Sequence, residues 1–473
     1  MDARGIFVII FTLITIGLSF FLAWHISNKG KKSSNVSDWN IGGRDLPLYV
    51  IVGTQFASAM GGGVIVGQVG NAYDNGIAMI LYGLFASLPF IAFILIGRWI
   101  REMEFETIPD MLGYLSNGNK RIKIIAAVLT IIVPFGWLIS QMVAFAKMYT
   151  QITGISLNVL IVVMAIASLL FVMPAGMKTV AWTDFFFACI MGVVCICVVM
   201  YCVNDGASIG TIKETLPKEL IEVPNGLLNV GWTTIILWFI SCLPGGMTNQ
   251  MYFQRVCALK DPKKVNKSLI ISGIALLVAF TWSCYIGNAI HVMNPNLEGE
   301  NATGWLLTIM PMWLIGLFAA LITSTIMSTI SSATQSIVVN LTHDIYKTFY
   351  PNAENRKLLN ISRMLSVIIL AISALLGIKK PEVLNWVVNT YSYSAAGLCV
   401  PMYVGYAMFK RGLVTPAGLT ASMVMGIAGC IIAQVVNTTV PFVVYGIVAS
   451  LIAIFVVSAI TKGNDKSIKR INS

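Results

Sequence analysis

The chain has 473 residues, 57% of them hydrophobic and 11% charged, with a mean hydropathy of +0.81. A soluble globule carries about 25% charged residues, so the composition excludes one and points to a protein that crosses a bilayer many times. The formal net charge of +11 fits a nucleic-acid partner or a membrane surface, and where the charges lie decides between them.

Gly5 to Ser27 is long enough to span a bilayer at about 20 residues per crossing. It has Arg4 before it and Lys29, Lys31 and Lys32 after it, the reverse of a cleaved signal peptide. Twelve more apolar spans follow at 47–71, 76–98, 123–149, 156–174, 180–203, 229–249, 268–293, 311–340, 361–378, 383–408, 415–437 and 441–461, thirteen in all. With the amino terminus outside, Lys and Arg divide 25 to 5 in favour of the cytoplasmic loops and tail, with Lys147 at a helix end. That is the positive-inside pattern, and it accounts for the net charge with no nucleic acid. The nine cysteines sit in apolar runs without paired spacing and read as buried, inert thiols. His25, His291 and His343 are far apart in sequence, which offers no zinc cluster and no acid-base machinery.

Two spans carry helix breakers. The second reads QFASAMGGGVIVG, with Gly61 to Gly63, and the seventh reads WFISCLPGGMTNQ, with Pro244, Gly245 and Gly246. Glycine costs a helix up to about 1 kcal/mol relative to alanine and proline about 3. Close packing explains a lone glycine. Breaks at corresponding places five helices apart point instead to inverted repeats, 47–203 and 229–408, with solute and ions bound at the freed backbone. The first span, 5–27, and the last two, 415–461, are then peripheral, and 462–473 is a cytoplasmic tail.

The ninth span contains LFAALITSTIMSTISSATQSIVVNLTHDIY, in which Thr325, Ser328, Thr329 and Ser332 fall on one helical stripe. Such hydroxyls let membrane helices approach closely and bond to the carbonyl four residues back. Alternatively they form an oxygen cage for a hard cation such as sodium. The stripe alone leaves both readings open.

Five stretches in fixed order, WNIGGRDLP, ETIPDMLGYL, AGMKTVAWTD, QRVCALKDPKK and IMSTISSATQSIVVNLTHDIY, make the chain resemble the sodium:solute symporter family from about Asp38 to past Lys410. The resemblance implies an all-α polytopic membrane protein of thirteen transmembrane helices with a LeuT-type five-plus-five inverted-repeat core, in the plasma (cytoplasmic) membrane. It implies a first sodium site made of the Ala57, Met60 and Thr325 carbonyls with the Ser328 and Thr329 hydroxyls. Two departures stand out: Ala59 replaces an acid that some members carry, and Thr325 replaces the usual alanine. A substrate site would be lined by Ser58, Ala59, Gly61, Gly62 and Val64, by Tyr82 and Gln141, by Trp238 and Ser241, and by Asn389 and Tyr391. Trp and Tyr in membrane helices also serve packing and interfaces.

The implied function is secondary active transport, coupling inward sodium movement to uptake of a small organic solute. No cofactor is expected other than the coupling ion, and the expected partners are the solute, sodium and the bilayer around a monomer. A proton-coupled symporter of the same fold is the alternative. A channel would need a continuous polar path, and a membrane enzyme or sensor would need a reactive cluster. Few polar groups are available to pair the hydroxyls of a sugar, which favours an amino acid or monocarboxylate over a sugar or nucleobase. An anionic group on the solute would be held by backbone N–H groups near Gly61 to Gly63. Asp184 lies inside a span, where a carboxylate is costly unless paired. The resemblance pairs it with Ser331 and Ser332 in a second cation site, for sodium or a proton.

Overall fold

The computed structural model describes residues 3–29, 40–172 and 177–462. The predicted tail beyond Lys462, the start of WNIGGRDLP and part of AGMKTVAWTD lie outside the described residues. The described chain is helical, with one isolated bridge between Leu46 and Leu259. Nine described helices are long and apolar enough to cross a membrane, or ten if the bent pair Leu48–Ala59 and Gly63–Asn75 is one span.

Thirteen were expected, and by length and composition among the described residues that number is not confirmed. The described helix of span 156–174 is Leu157–Val172, and that of 229–249 is Trp232–Gly246, with Pro244 near its end. Span 383–408 is divided into Leu384–Ser394, a π-helical stretch Ala395–Val404 containing Pro401, and Gly405–Lys410. This third run stays helical without a gap to Lys410 and changes to π-helical bonding around Pro401, which has no backbone donor.

Eight helices position the site: α1 (Ala3–Lys29), α2 (Leu48–Ala59), α3 (Ile132–Thr153), α4 (Met177–Asn204), α5 (Trp232–Gly246), α6 (Gln250–Ala258), α7 (Met312–Val339) and α8 (Leu384–Ser394). At the centre is α7, which packs against α1, α2, α3, α4 and α6. The apolar window of its span, Met312–Phe349, is 89% buried, against 22–56% for the other spans. A helix buried all round must satisfy its polar side chains internally, and α7 does so locally. Thr323, Ser324, Thr325, Thr329, Thr334 and Ser336 each donate to the carbonyl four residues back, at 2.7–3.0 Å.

Between apolar helices in lipid, association depends on close contact more than on water exclusion. Gly53 of α2 illustrates this: a Cβ there would lie 2.8 Å from Phe185 Cδ2 on α4. The approach brings Thr54, one residue on, to the Asp184 carboxylate.

Candidate functional site

Helix α2 stops at Ala59. Met60 leaves the helical region at φ −86°, ψ 37°, while its N–H still reaches the Phe56 carbonyl. The chain resumes as a helix bent by 51°. Ending a helix removes the partners of its last carbonyls, and here those belong to Ala57, Ser58 and Ala59. The break lies against α7: Thr329 Oγ1 is 3.4 Å from the Ser58 carbonyl, and a Cβ on Gly62 would be 3.3 Å from Ile326 Cδ1. The expected first-site groups Ala57, Met60, Thr325, Ser328 and Thr329 therefore come from two adjoining, fully buried stretches.

The hydroxyl stripe divides by partner. Thr325 and Thr329 bond to their own helix, at the Leu321 and Thr325 carbonyls. Ser328 instead donates to Asp184, and Ser332 accepts from Arg255 at 2.8 Å. Asp184 also takes hydrogen bonds from Thr54 and, at 3.3 Å, from Ser58. Ser331 is buried on the same helix, without joining the hydrogen bonds described at Asp184.

Arg255 corrects the charge count above, which includes it among the cytoplasmic residues because it lies between the spans 229–249 and 268–293. It is fully buried on α6, directly after the second break, where the Asn249 side chain accepts the Met251 N–H and starts the helix. Its Nη2 lies 3.6 Å from Asp184 Oδ2. No sequence signal placed it there: nine residues separate Arg255 from Gly245, and at about 3.3 Å per extended residue the chain could have reached solvent.

The second break serves packing. A Cβ on Gly245 would be 2.5 Å from the Tyr391 carbonyl oxygen, and one on Gly246 would be 2.4 Å from Pro89 Cγ. At the first break the close neighbour is a polar side chain. Gln141 of α3 accepts the Gly62 N–H through Oε1, so this amide occupies the backbone donor expected to hold an anionic group.

A central cavity adjoins the first break, lined by Ala59, Gly63, Val64, Tyr82, Trp137, Gln141, Tyr252, Phe280 and Tyr391 among others. About 30 Å³ is open to the centre of a water molecule, room for one or two waters. Of the expected lining, Ala59, Val64, Tyr82, Gln141 and Tyr391 face it. Ser58 turns to Asp184 and Arg255, and Ser241 bonds Ser392 at 2.8 Å. Trp238 packs edge-on behind Tyr82, with ring centroids 5.5 Å apart. Gly61 and Gly62 are covered by Gln141, and Asn389 is half-buried outside the lining. Sequence reading missed Trp137, although it stands one turn before Gln141 on the same face. It also missed Tyr252, for which no sequence pattern spoke.

Two smaller corrections follow from burial. All nine cysteines are free, but only five are buried and Cys189 is exposed. His343, solitary in sequence, meets Asp110 and Asp344 with ligand atoms within 4.8 Å of one another. Lys123 is already there, 2.6 Å from Asp110 and 3.3 Å from Asp344.

The profile of the sodium:solute symporter family matches residues 39–426. The chain belongs to this family. It is a sodium-coupled solute symporter and not an enzyme, with sodium as its coupling ion. Similar relatives of the symporter include a sodium/glucose cotransporter of Vibrio parahaemolyticus, 23% identical over 98% of this chain and 91% of the relative. A sodium/proline symporter of Escherichia coli (strain K12) is 25% identical over 89% and 85%. Among solved structures, a Na+-coupled sialic acid symporter in a substrate-bound outward-open state superposes with a TM-score of 0.81 at 18% identity, covering 99% of both chains. A nucleobase-cation-symport-1 family transporter superposes at 0.63 with 16% identity, covering 92% of this chain and 97% of that one. These structures share the symporter's fold.

Proposed function

We propose that this symporter carries a compact amino acid or monocarboxylate inward, with sodium bound between the end of α2 and the hydroxyl stripe of α7. The observation that carries the reading is the contact of Thr329 with the Ser58 carbonyl at the point where α2 ends. There, freed carbonyls of one helix face hydroxyls of another, a donor set of hard oxygens that suits sodium. Thr329 gives up bonds to carbonyls for a bond to the ion. The Ala57, Met60 and Thr325 carbonyls and Ser328 complete the proposed cage.

The solute binds at the cavity beside that cage, which widens beyond its room for one or two waters to admit it. Its walls are mainly aromatic and aliphatic, with Gln141 and tyrosines as the polar groups. Each buried solute hydroxyl left without a partner costs about 1–3 kcal/mol, so such walls suit a molecule with one polar end and an apolar body better than a sugar. The two halves, 47–203 and 229–408, move relative to each other to expose the cavity to either side in turn. The amino terminus is outside, as the loop charges favour even with Arg255 removed from the count, and the protein acts as a monomer.

The test is a thermal-shift screen of amino acids, short carboxylates, sugars and bases, with sodium or with choline. Stabilisation that needs both sodium and a compact carboxylate is expected. Stabilisation by sugars alone overturns the solute class, and stabilisation indifferent to sodium overturns the cage.

A further inference from the structure

The charge balance around Asp184 carries an inference about coupling stoichiometry. Asp184 is fully buried, with three hydroxyl donors, from Thr54, Ser58 and Ser328. Hydroxyls orient a carboxylate but do not neutralise it, and a buried charge needs an opposite one. Arg255 supplies it. Its Nε donates to Thr54 at 3.1 Å, its Nη1 to the Met251 carbonyl at 2.9 Å, and its Nη2 to both Ser58 and Ser332 while standing 3.6 Å from Asp184 Oδ2.

The guanidinium thus engages two of the three side chains, Asp184 and Ser332, that a second metal ion would use. Ser332, an expected ligand of that ion, is an acceptor for Arg255, and the carboxylate is shared between Arg255 and the hydroxyls. An arginine does not lose its proton in a protein. A sodium ion added here would therefore face a permanent positive charge and leave the buried group with net charge +1.

We propose that Arg255 is the resident counter-cation of Asp184, that it excludes a second sodium from this place, and that it thereby fixes coupling at one sodium per transport cycle. The proposal deepens the symport reading above, and it concerns only the Asp184 locus.

Equilibrium binding of radiolabelled sodium to the purified full-length protein, without solute, tests it. Arg255→Gln is expected to bind one sodium per chain more than the wild type. Asp184→Asn added to it is expected to abolish that extra site, and Arg255→Lys to keep the wild-type count. If folded Arg255→Gln gains no sodium, the proposal is overturned. Should Arg255→Gln not fold, the charge-neutral pair Asp184→Asn with Arg255→Gln decides: equal sodium counts in it and the wild type support the proposal, and one sodium fewer overturns it. The two readings fail separately. A wild type that binds no sodium while Arg255→Gln binds one removes the cage at α2 and α7, and with it the count of one, but upholds the exclusion of sodium at Asp184 by Arg255.

Discussion

Gln141 Oε1 accepts the backbone N–H of Gly62, and the same oxygen lies 2.4 Å from where a Cβ on Gly61 would be. A side-chain amide thus both caps the broken helix and fills the space that two glycines leave. Replacing it with leucine keeps the bulk and leaves a buried N–H without an acceptor, at a cost of about 1–3 kcal/mol. Gln141→Leu should melt below the wild type in detergent, and Gln141→Glu, which keeps an acceptor oxygen, should recover part of the loss at neutral pH. Equal melting of Gln141→Leu and wild type would show that the amide does not hold the break.

The glycines of the two breaks separate cleanly by what surrounds them. A Cβ on Gly62 would meet Ala144 Cβ at 2.4 Å, one on Gly245 would meet a backbone oxygen at 2.5 Å, and one on Gly63 would meet nothing nearer than Ser140 Oγ at 3.8 Å. Overpacking a close contact costs about 1–3 kcal/mol. Gly62→Ala and Gly245→Ala should therefore lower the melting temperature, and Gly63→Ala should leave it within a degree or two. A ranking in which Gly63→Ala is the most damaging would contradict this packing.

Both breaks and the hydroxyl stripe were legible because Gly, Pro, Ser and Thr announce themselves in an apolar sequence. Their different uses were not. Whether a glycine admits an amide, as at Gly61, or a neighbouring backbone, as at Gly245, depends on a residue far away in the chain. Ser328 and Thr329 are adjacent on one stripe, yet one turns to Asp184 and the other to its own helix and to Ser58. Arg255 was misplaced because a charge count treats every Lys and Arg outside an apolar window as solvated. Only the third dimension places it opposite Asp184.

The stripe makes a comparative prediction. Thr329 and Thr334 both back-bond at 2.8 Å, to the Thr325 and Ile330 carbonyls, but only Thr329 also reaches the end of α2. Thr329→Ala, alone or with Ser328→Ala, should raise the sodium concentration for half-maximal binding at least tenfold, equivalent to about 1.4 kcal/mol. Thr334→Val should shift it less than twofold. Equal sensitivity of the two positions would reduce the stripe to helix packing.

The final prediction concerns pH at the end of the bundle where helix Ile108–Leu115 meets the chain after α7. Thr107 caps that helix and also donates to Asp344 at 2.9 Å. Asp110 lies 2.6 Å from Lys123 and 3.9 Å from His343, with Asp344 bound to both of those groups and Glu106 3.9 Å from the far side of the imidazole. Burial pushes the Asp110 pKa up, but the charges of His343 and Lys123 and the hydrogen bonds from Lys123 and Thr107 outweigh it, and the net direction is down. A carboxylate depressed on folding contributes stability above its unfolded pKa, near 4, and loses that contribution as pH falls through the folded value. The melting advantage of wild type over Asp110→Asn should accordingly be full at pH 6–7 and shrink as the pH is lowered below about 4. Repeating the comparison in a His343→Gln background should diminish the advantage, because one of the charges that depresses Asp110 is gone. An advantage that grows on acidification would reverse the sign and exclude an ionised Asp110 as the partner of Lys123.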